Sequence, residues 1–158
     1  MLSVGDKITH PMHGAGIIEE VTQQRVDGGL RDYFVMRMTY GAMTVMVPKD
    51  SCEAIGVRAI ITETEADTLI SAFGDLEADE NQNWNKRYRE NMLKIKSGDL
   101  YQVAAVVKGL LARDRDRGLS TGERKLLSSA KQILISEIAL AKGVEVEDIE
   151  HIITKRLI

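Results

Sequence analysis

The spacing of apolar residues changes once along this chain, at Thr62, and the change divides the sequence into two kinds of structure. Before Thr62 apolar and polar residues alternate in short runs, which is the period-two pattern of half-buried strands. After Thr62 the apolar residues recur every three or four positions, which is the pattern of amphipathic helices. We therefore predict an α+β protein with a β domain over residues 1–60 and a helical domain over residues 61–158.

The first half contains four or five short strand-like runs that are separated by turn residues. Pro11 ends the first run, the letters DGG at 27–29 mark a hairpin turn, and Gly41 separates the last two runs. In the run before Gly41, Phe34 and Met36 lie on one face of the strand and the residues between them lie on the other. Short strands joined by tight turns predict a small Tudor-like or SH3-like barrel, a fold that binds partners through its outer strands and edges.

Helix-capping residues occur at intervals along the second half of the chain. Thr62 with Glu65 and Ser120 with Glu123 have the spacing of capping boxes, and Asn83 has the position of an N-cap. Together with the glycines that end the periodic segments, these signals predict an all-α bundle of about five helices.

Charge is distributed unevenly along a chain whose formal net charge is only -3. Residues 81–131 contain twelve Lys and Arg against five Asp and Glu, so this segment has a local net charge of +7. A basic segment of this size is as consistent with a polyanionic partner as with a solvated helix face.

The single tryptophan, Trp84, begins the most basic segment. One helical face is predicted to contain Trp84, Tyr88, Met92 and Ile95. Trp84 could therefore extend the core, but at the first turn of its helix a large ring is often only partly covered. Lys86 and Arg89 flank it on the same helix. An exposed ring between cations can wedge against DNA bases while the cations hold phosphates.

The motifs expected of enzymes and metal proteins are incomplete in this sequence. His10 and His13 form an HxxH pair without a third ligand at zinc spacing. The letters GAGIIE place Glu19 where a dinucleotide fingerprint needs its third glycine. We predict that Cys52 is a small buried apolar residue, and a single cysteine is typical of a cytoplasmic protein. We expect no enzyme activity, no metal or other cofactor, no small-molecule substrate and no membrane span, and we expect a monomer.

Five motifs in order along nearly the whole chain carry a resemblance to a known family. They are VGDKITHPMHGAG at 4–16, TVMVP at 44–48, GVR at 56–58, NWNKRYRENMLKIKSGD at 83–99 and RDRDRGLSTGERKLLSSAKQIL at 113–134. In this combination the chain resembles the CarD/CdnL family of bacterial transcription regulators. Its N-terminal half is also similar to the polymerase-interacting module of transcription-repair coupling factors, although the chain has no helicase motifs.

The resemblance implies that the barrel docks on the β subunit of bacterial RNA polymerase and that the helical domain contacts promoter DNA at the upstream edge of the bubble. Trp84 would then be a wedge in the minor groove that stabilises the open complex. Lys86, Arg89 and Arg124 match family positions that hold backbone phosphates, and Arg87 is added to them because it is their neighbour in sequence.

On the barrel, Met36, Met46 and Pro48 resemble apolar polymerase contacts in one branch of the family. Another branch has arginines on these strands, where this chain has Gln24 and Met46, with Arg25 one position away.

Two alternatives remain open. One is a protein-protein adaptor of the transcription machinery without direct DNA contact. The other is an RNA-binding barrel that uses the aromatic residues Tyr33, Phe34 and Tyr40.

Overall fold

The N-terminal half of the chain folds into one five-stranded antiparallel sheet. The structure is a computed structural model, and it describes residues 1–77 and 83–156. The strands are β1 (Lys7–His10), β2 (Gly14–Val26), β3 (Gly29–Met38), β4 (Thr44–Pro48) and β5 (Arg58–Ala59). Their order in the sheet is β4-β3-β2-β1-β5, so β4 and β5 are the edge strands. A short helix, α1 (Cys52–Ile55), lies between β4 and β5 in the chain.

The hairpin of β2 and β3 sets the two faces of the sheet. Val26 is paired with Gly29, which leaves Asp27 and Gly28 as a two-residue turn with φ of 49° and 83°. Positive φ at both positions is typical of the type I′ turn, whose twist matches that of the strands. Along β3 the predicted alternation is confirmed. Phe34, Met36 and Met38 are buried, whereas Tyr33, Val35 and Arg37 face outward.

The sheet encloses a small hydrophobic core of its own. Its buried members are Ile8, Ile18, Phe34, Met36, Met38, Val47, Cys52 and Val57. The Cys52 thiol donates to the Pro48 carbonyl at 3.4 Å, and burial raises the pKa of that thiol, followed by the negative charge of Asp50. Cys52 is therefore a packed thiol, as its apolar sequence context predicts.

The second half of the described chain contains five helices of ten or more residues. They are α2 (Glu63–Ala72), α3 (Trp84–Lys96), α4 (Leu100–Arg117), α5 (Thr121–Lys142) and α6 (Val146–Arg156). The predicted α+β order, strands first and about five helices after, is confirmed. Thr62 and Glu65 form the expected reciprocal capping box at α2, and the Asn83 side chain accepts from the Lys86 amide at the start of α3.

Helix α5 is the central element of the helical half and also packs against the sheet. Glu137, fully buried on α5, accepts from both terminal nitrogens of Arg58, at 2.8 and 3.0 Å, and from the Ile61 amide at 2.9 Å. One residue earlier, the Ser136 hydroxyl accepts from the Ala15 amide of β2 at 2.9 Å. The sheet and the helices therefore share a polar, hydrogen-bonded junction that is built on two adjacent residues of α5.

Candidate nucleic-acid interface

The first turns of α3 and α5 lie against each other, although they are far apart in sequence. Trp84, the first residue of α3, donates its indole Nε1 proton to the Ser120 hydroxyl at 3.1 Å, and Ser120 is the N-cap of α5. Each helix N-terminus presents a positive dipole end and backbone N–H groups. Two such ends beside one aromatic ring form an electropositive location on the surface.

The Trp84 ring is neither buried in the core nor free of contacts. It is 42% exposed, and it stacks on Tyr88 with 5.1 Å between ring centroids and 15° between planes. The α5 backbone passes close by at Gly122, where an added Cβ would lie 3.7 Å from both rings. Along α3 the stripe that contains these rings becomes more covered, through half-buried Met92 to buried Ile95. Trp84 is thus the exposed end of a face that otherwise packs inward.

Arg87 is enclosed, which corrects the prediction that it contacts DNA. Its Nε lies 2.9 Å from Glu123 Oε2 and its Nη2 lies 3.2 Å from Glu123 Oε1. Only about 4% of the Arg87 side chain and 2% of the Glu123 side chain are exposed. Arg113 approaches the same carboxylate, with its Nε 3.9 Å from Oε1. A guanidinium committed to a buried carboxylate cannot also reach a phosphate on the surface.

Glu123 does not close the capping box that its spacing with Ser120 predicts. The Ser120 hydroxyl accepts from the Glu123 amide at 3.2 Å, but the Glu123 carboxylate is bonded to Arg87 instead of returning to the Ser120 amide. Burial alone would raise the pKa of the Glu123 carboxyl. The hydrogen bond and charge of Arg87, followed by the charge of Arg113 and a hydrogen bond from the Trp84 side chain, outweigh burial and lower that pKa below its usual value. Glu123 is therefore a charged anchor in a protein interior.

The other three cations predicted to hold phosphates are exposed, and they lie on the first two turns of α3 and α5. Lys86 has 59% of its side chain exposed, with Nζ 4.0 Å from the Glu90 carboxylate. Arg89 is exposed one turn further along α3. Arg124 is exposed on α5, and its Nε donates to the Leu119 carbonyl at 3.3 Å. Lys86 and Arg89 are therefore exposed on the helix that begins with Trp84, and Arg124 is exposed on the first turn of the helix whose N-cap holds the indole.

The residues predicted to contact polymerase separate into exposed and buried groups. The pairs Val35–Met46 and Tyr33–Pro48 place these four residues on one side of β3 and β4, which we call the outer sheet face. Met46 is 44% exposed on the edge strand, and Pro48 is half-buried. Met36 is fully buried in the sheet core, so the prediction that it contacts a partner is corrected.

Gln24 and Arg25 are both exposed near the hairpin end of β2, opposite Arg31 and Leu30 of β3. Adjacent strand residues point to opposite sides of a sheet. Only one of the two can therefore extend the outer sheet face.

The aromatic residues considered for RNA binding do not form a platform. Phe34 is buried in the sheet core, and the Tyr40 hydroxyl donates to Glu150 of α6 at 3.2 Å. Only Tyr33 remains on the outer sheet face. Since single-stranded RNA is held by several exposed rings in a row, this arrangement weighs against that alternative.

Two residues of this site were not singled out as binding residues from the sequence. Ser120 was expected only to cap a helix, yet it also holds the Trp84 indole. Glu123 was expected to complete the same cap, yet it holds Arg87. The letters STGE at 120–123 were the signal, because they place both groups on the first turn of α5.

In residues 1–77 and 83–156, no group of three or more His, Cys, Asp or Glu side chains could hold a metal ion. Among the described helices, none is both long and apolar enough to cross a membrane.

Comparison with known proteins gives matches along both halves of the chain. The family model described as the CarD-like/TRCF RID domain matches residues 2–61, and the model of the CarD C-terminal domain matches residues 68–154. YdeB of Bacillus subtilis (strain 168), whose name describes it as a candidate transcription factor, is 33% identical over 150 residues, which are 95% of this chain and 98% of YdeB. The solution NMR structure of the 72-residue N-terminal domain of Myxococcus xanthus CarD is 32% identical. It covers 37% of this chain and 79% of that domain, with a TM-score of 0.32.

Proposed function

This chain belongs to the CarD family of transcription regulators, and from that membership we propose that it acts on transcription initiation by holding the promoter open complex. In this proposal the N-terminal sheet docks on the β subunit of RNA polymerase in the cytoplasm. The Trp84 ring then wedges into the minor groove at the upstream edge of the bubble.

The observation that supports this proposal most directly is the state of Trp84. Its ring is 42% exposed and yet fixed by a hydrogen bond to Ser120 and a stack on Tyr88. A side chain that unstacks DNA must be both accessible and already ordered, because ordering it during binding would cost free energy. A tryptophan that only fills the core would be buried, and a tryptophan exposed without a function would not be held by a hydrogen bond and a ring stack.

The surroundings of Trp84 favour a phosphate backbone as the neighbouring ligand. Lys86 and Arg89 are exposed on α3, Arg124 is exposed on the first turn of α5, and the positive ends of the two helices meet at the Trp84–Ser120 hydrogen bond. Three phosphate contacts give only weak, salt-sensitive affinity, since each contributes about -0.9 to the salt slope. Docking on polymerase would raise the effective concentration of this surface at the promoter to roughly millimolar.

The match of residues 2–61 to the CarD-like/TRCF RID domain supports polymerase interaction by the sheet, and we propose the outer sheet face and the β4 edge as its docking surface because β4 is an edge strand. Edge strands can extend a partner's sheet through main-chain hydrogen bonds, while the exposed side chains add specificity. Here Met46 and Val35 would provide apolar contacts, and Gln24 or Arg25 a polar contact.

Such a regulator acts by binding and needs no catalytic group. A wedge that favours open over closed DNA by about 1.4 kcal/mol changes the ratio of the two states roughly tenfold. Whether this activates or represses a promoter depends on whether bubble stability or promoter escape limits that promoter.

The experiment that tests the proposal is the lifetime of the polymerase-promoter open complex after competitor challenge. It compares no added protein, the intact chain, Trp84→Ala and Tyr101→Ala. Tyr101 is a matched control because it is an aromatic residue with the same 42% exposure, on α4 instead of α3. We expect the intact chain and Tyr101→Ala to lengthen the lifetime, and Trp84→Ala to lose most of that effect while still binding polymerase.

Equal lifetimes with the intact chain and with folded Trp84→Ala would contradict the wedge. If the intact chain also failed to bind forked promoter DNA at any salt concentration, the adaptor without DNA contact would be the better description.

A further inference from the structure

Ser120 accepts two hydrogen bonds that serve different purposes. One comes from the Glu123 amide at 3.2 Å and caps α5, and the other comes from the Trp84 indole at 3.1 Å. We infer that Ser120 is a positioning residue for Trp84: the start of α5 sets which edge of the indole points toward it, whereas Tyr88 of α3 sets only the plane of the ring. This inference rests on the proposed function of Trp84 as a wedge.

Helix α3 alone does not fix the ring. Trp84 is the first residue of that helix, where no preceding turn restricts its rotamers. The stack on Tyr88, one turn along the same helix, restricts the ring plane but allows the ring to turn within it. The hydrogen bond to Ser120 is directional, and it therefore selects which edge of the indole faces α5.

Contacts at Gly122 agree with this orientation. A Cβ at Gly122 would meet Cζ2 of Trp84, which lies on the same side of the indole as Nε1. The edge with Nε1 and Cζ2 is thus turned toward α5. The opposite edge of the six-membered ring is the part left to enter a groove between base pairs.

A second link keeps Ser120 at the right distance. The Arg87–Glu123 ion pair joins the same two helix turns, and Glu123 also donates its amide to Ser120. The Trp84 side chain also interacts with the Glu123 carboxylate, so Trp84, Arg87, Glu123 and Ser120 form a closed set of contacts between α3 and α5. Since one of these links is a buried, two-bond ion pair, the separation of the helices does not depend on the Trp84–Ser120 bond itself.

The inference is testable because Trp84 is the only tryptophan, so indole fluorescence reports on this ring alone. Ser120→Gly removes the hydroxyl while glycine remains acceptable as an N-cap, and Ser120→Thr keeps the hydroxyl. Thr62→Gly is the matched control, because it removes the N-cap hydroxyl of α2 without touching Trp84. For each protein we would measure acrylamide quenching of the indole and the open-complex lifetime, with Trp84→Ala included in the lifetime series.

We expect Ser120→Gly to increase quenching and to shorten the open-complex lifetime roughly two- to tenfold, the range that the loss of one hydrogen bond produces. Ser120→Thr and Thr62→Gly should behave as the intact chain does. Gly122→Ala should decrease quenching, because its methyl group would contact both rings at an ordinary distance of 3.7 Å.

Three results would overturn the inference. The first is unchanged quenching in Ser120→Gly, which would mean that the ring does not depend on this hydroxyl. The second is increased quenching in Ser120→Gly with an unchanged lifetime, while Trp84→Ala shortens the lifetime, which would mean that ring orientation is irrelevant to function. The third is an unchanged lifetime in Trp84→Ala. This result would show that the proposed function itself is wrong, and the position of the Trp84 ring would then have no effect on the open complex.

Discussion

Arg87 and Glu123, thirty-six residues apart in sequence, form a buried ion pair in which two guanidinium nitrogens meet two carboxylate oxygens at 2.9 and 3.2 Å. This pair fixes the start of α3 against the start of α5, beneath the exposed Trp84 and Ser120. The stability of the helical half and the arrangement of its surface therefore depend on the same two residues.

Removing one partner of this pair should be costly. Glu123→Ala leaves the Arg87 guanidinium buried without its carboxylate, and we expect the free energy of unfolding to fall by about 3–5 kcal/mol. Urea denaturation followed by circular dichroism measures this change. Glu90→Ala is the control, because Glu90 pairs with the largely exposed Lys86 and its loss should cost less than about 1 kcal/mol. Similar losses in the two variants would contradict the role assigned to the buried pair.

Stability should also decrease in acid because of Glu123. Its pKa in the folded protein is lowered from the ordinary value of 4.5, so below that value the unfolded chain binds a proton that the folded chain resists. The stabilisation is therefore complete above about pH 4.5 and is lost as the pH falls toward the lowered pKa. We expect urea midpoints measured from neutral pH to about pH 3 to fall less steeply for Glu123→Gln than for the intact chain. Parallel curves would assign the acid sensitivity to other carboxyl groups.

The three exposed cations predict the salt dependence of DNA binding. Lys86→Ala, Arg89→Ala and Arg124→Ala should each reduce the magnitude of the slope of log affinity against log salt by about 0.9. The measurement is a salt titration of binding to a forked promoter fragment. Lys7→Ala, an exposed lysine at the start of β1, should leave the slope unchanged. If Lys7→Ala changed the slope as much as the others, binding would reflect overall charge and not this surface.

The two methionines predicted to contact polymerase should respond in opposite ways. Met46→Asp should weaken polymerase binding at least tenfold with little change in stability, because Met46 is 44% exposed on an edge strand. Met36→Ala should instead reduce the free energy of unfolding by about 2–5 kcal/mol, because Met36 is fully buried. Binding of each variant to immobilised polymerase measures the first effect, and thermal unfolding measures the second.

Met12→Asp is the control for the new charge, since Met12 is exposed in the turn after β1. Equal weakening by Met12→Asp and Met46→Asp would mean that charge, and not position on the outer sheet face, disrupts docking.

Local rules predicted the features that depend on neighbours in sequence. The alternation of Phe34, Met36 and Met38 predicted that they share one face of β3, and the Thr62–Glu65 spacing predicted the cap of α2. That alternation grouped Met36 with Phe34 on one face without saying which face is buried, whereas the family likeness suggested that Met36 is an exposed contact; the structure shows the shared face to be the buried one. The period of a strand determines by itself which residues share a face. A contact inferred from relatives also requires that the two strands be aligned at the same residues.

Long-range partners could not be predicted in this way. Arg87 shares a helical face with Asn91 and Ile95, which indicates that it points inward, but nothing local shows that its carboxylate is Glu123. Likewise the Ser120 hydroxyl satisfies a cap by itself, so the indole that it also holds became visible only when α3 and α5 were brought together. Both pairings are consequences of tertiary packing.

The junction at Glu137 and Ser136 has a consequence for promoter choice. Because Arg58 and Ala15 of the sheet are hydrogen-bonded directly to α5, whose N-cap holds the Trp84 indole, these bonds resist a change in the span from the outer sheet face to Trp84. If the sheet docks on polymerase as proposed, the ring can reach only one place along the upstream DNA. Promoters would then be distinguished by where their bubble ends relative to the enzyme, a measurement of distance that requires no reading of bases.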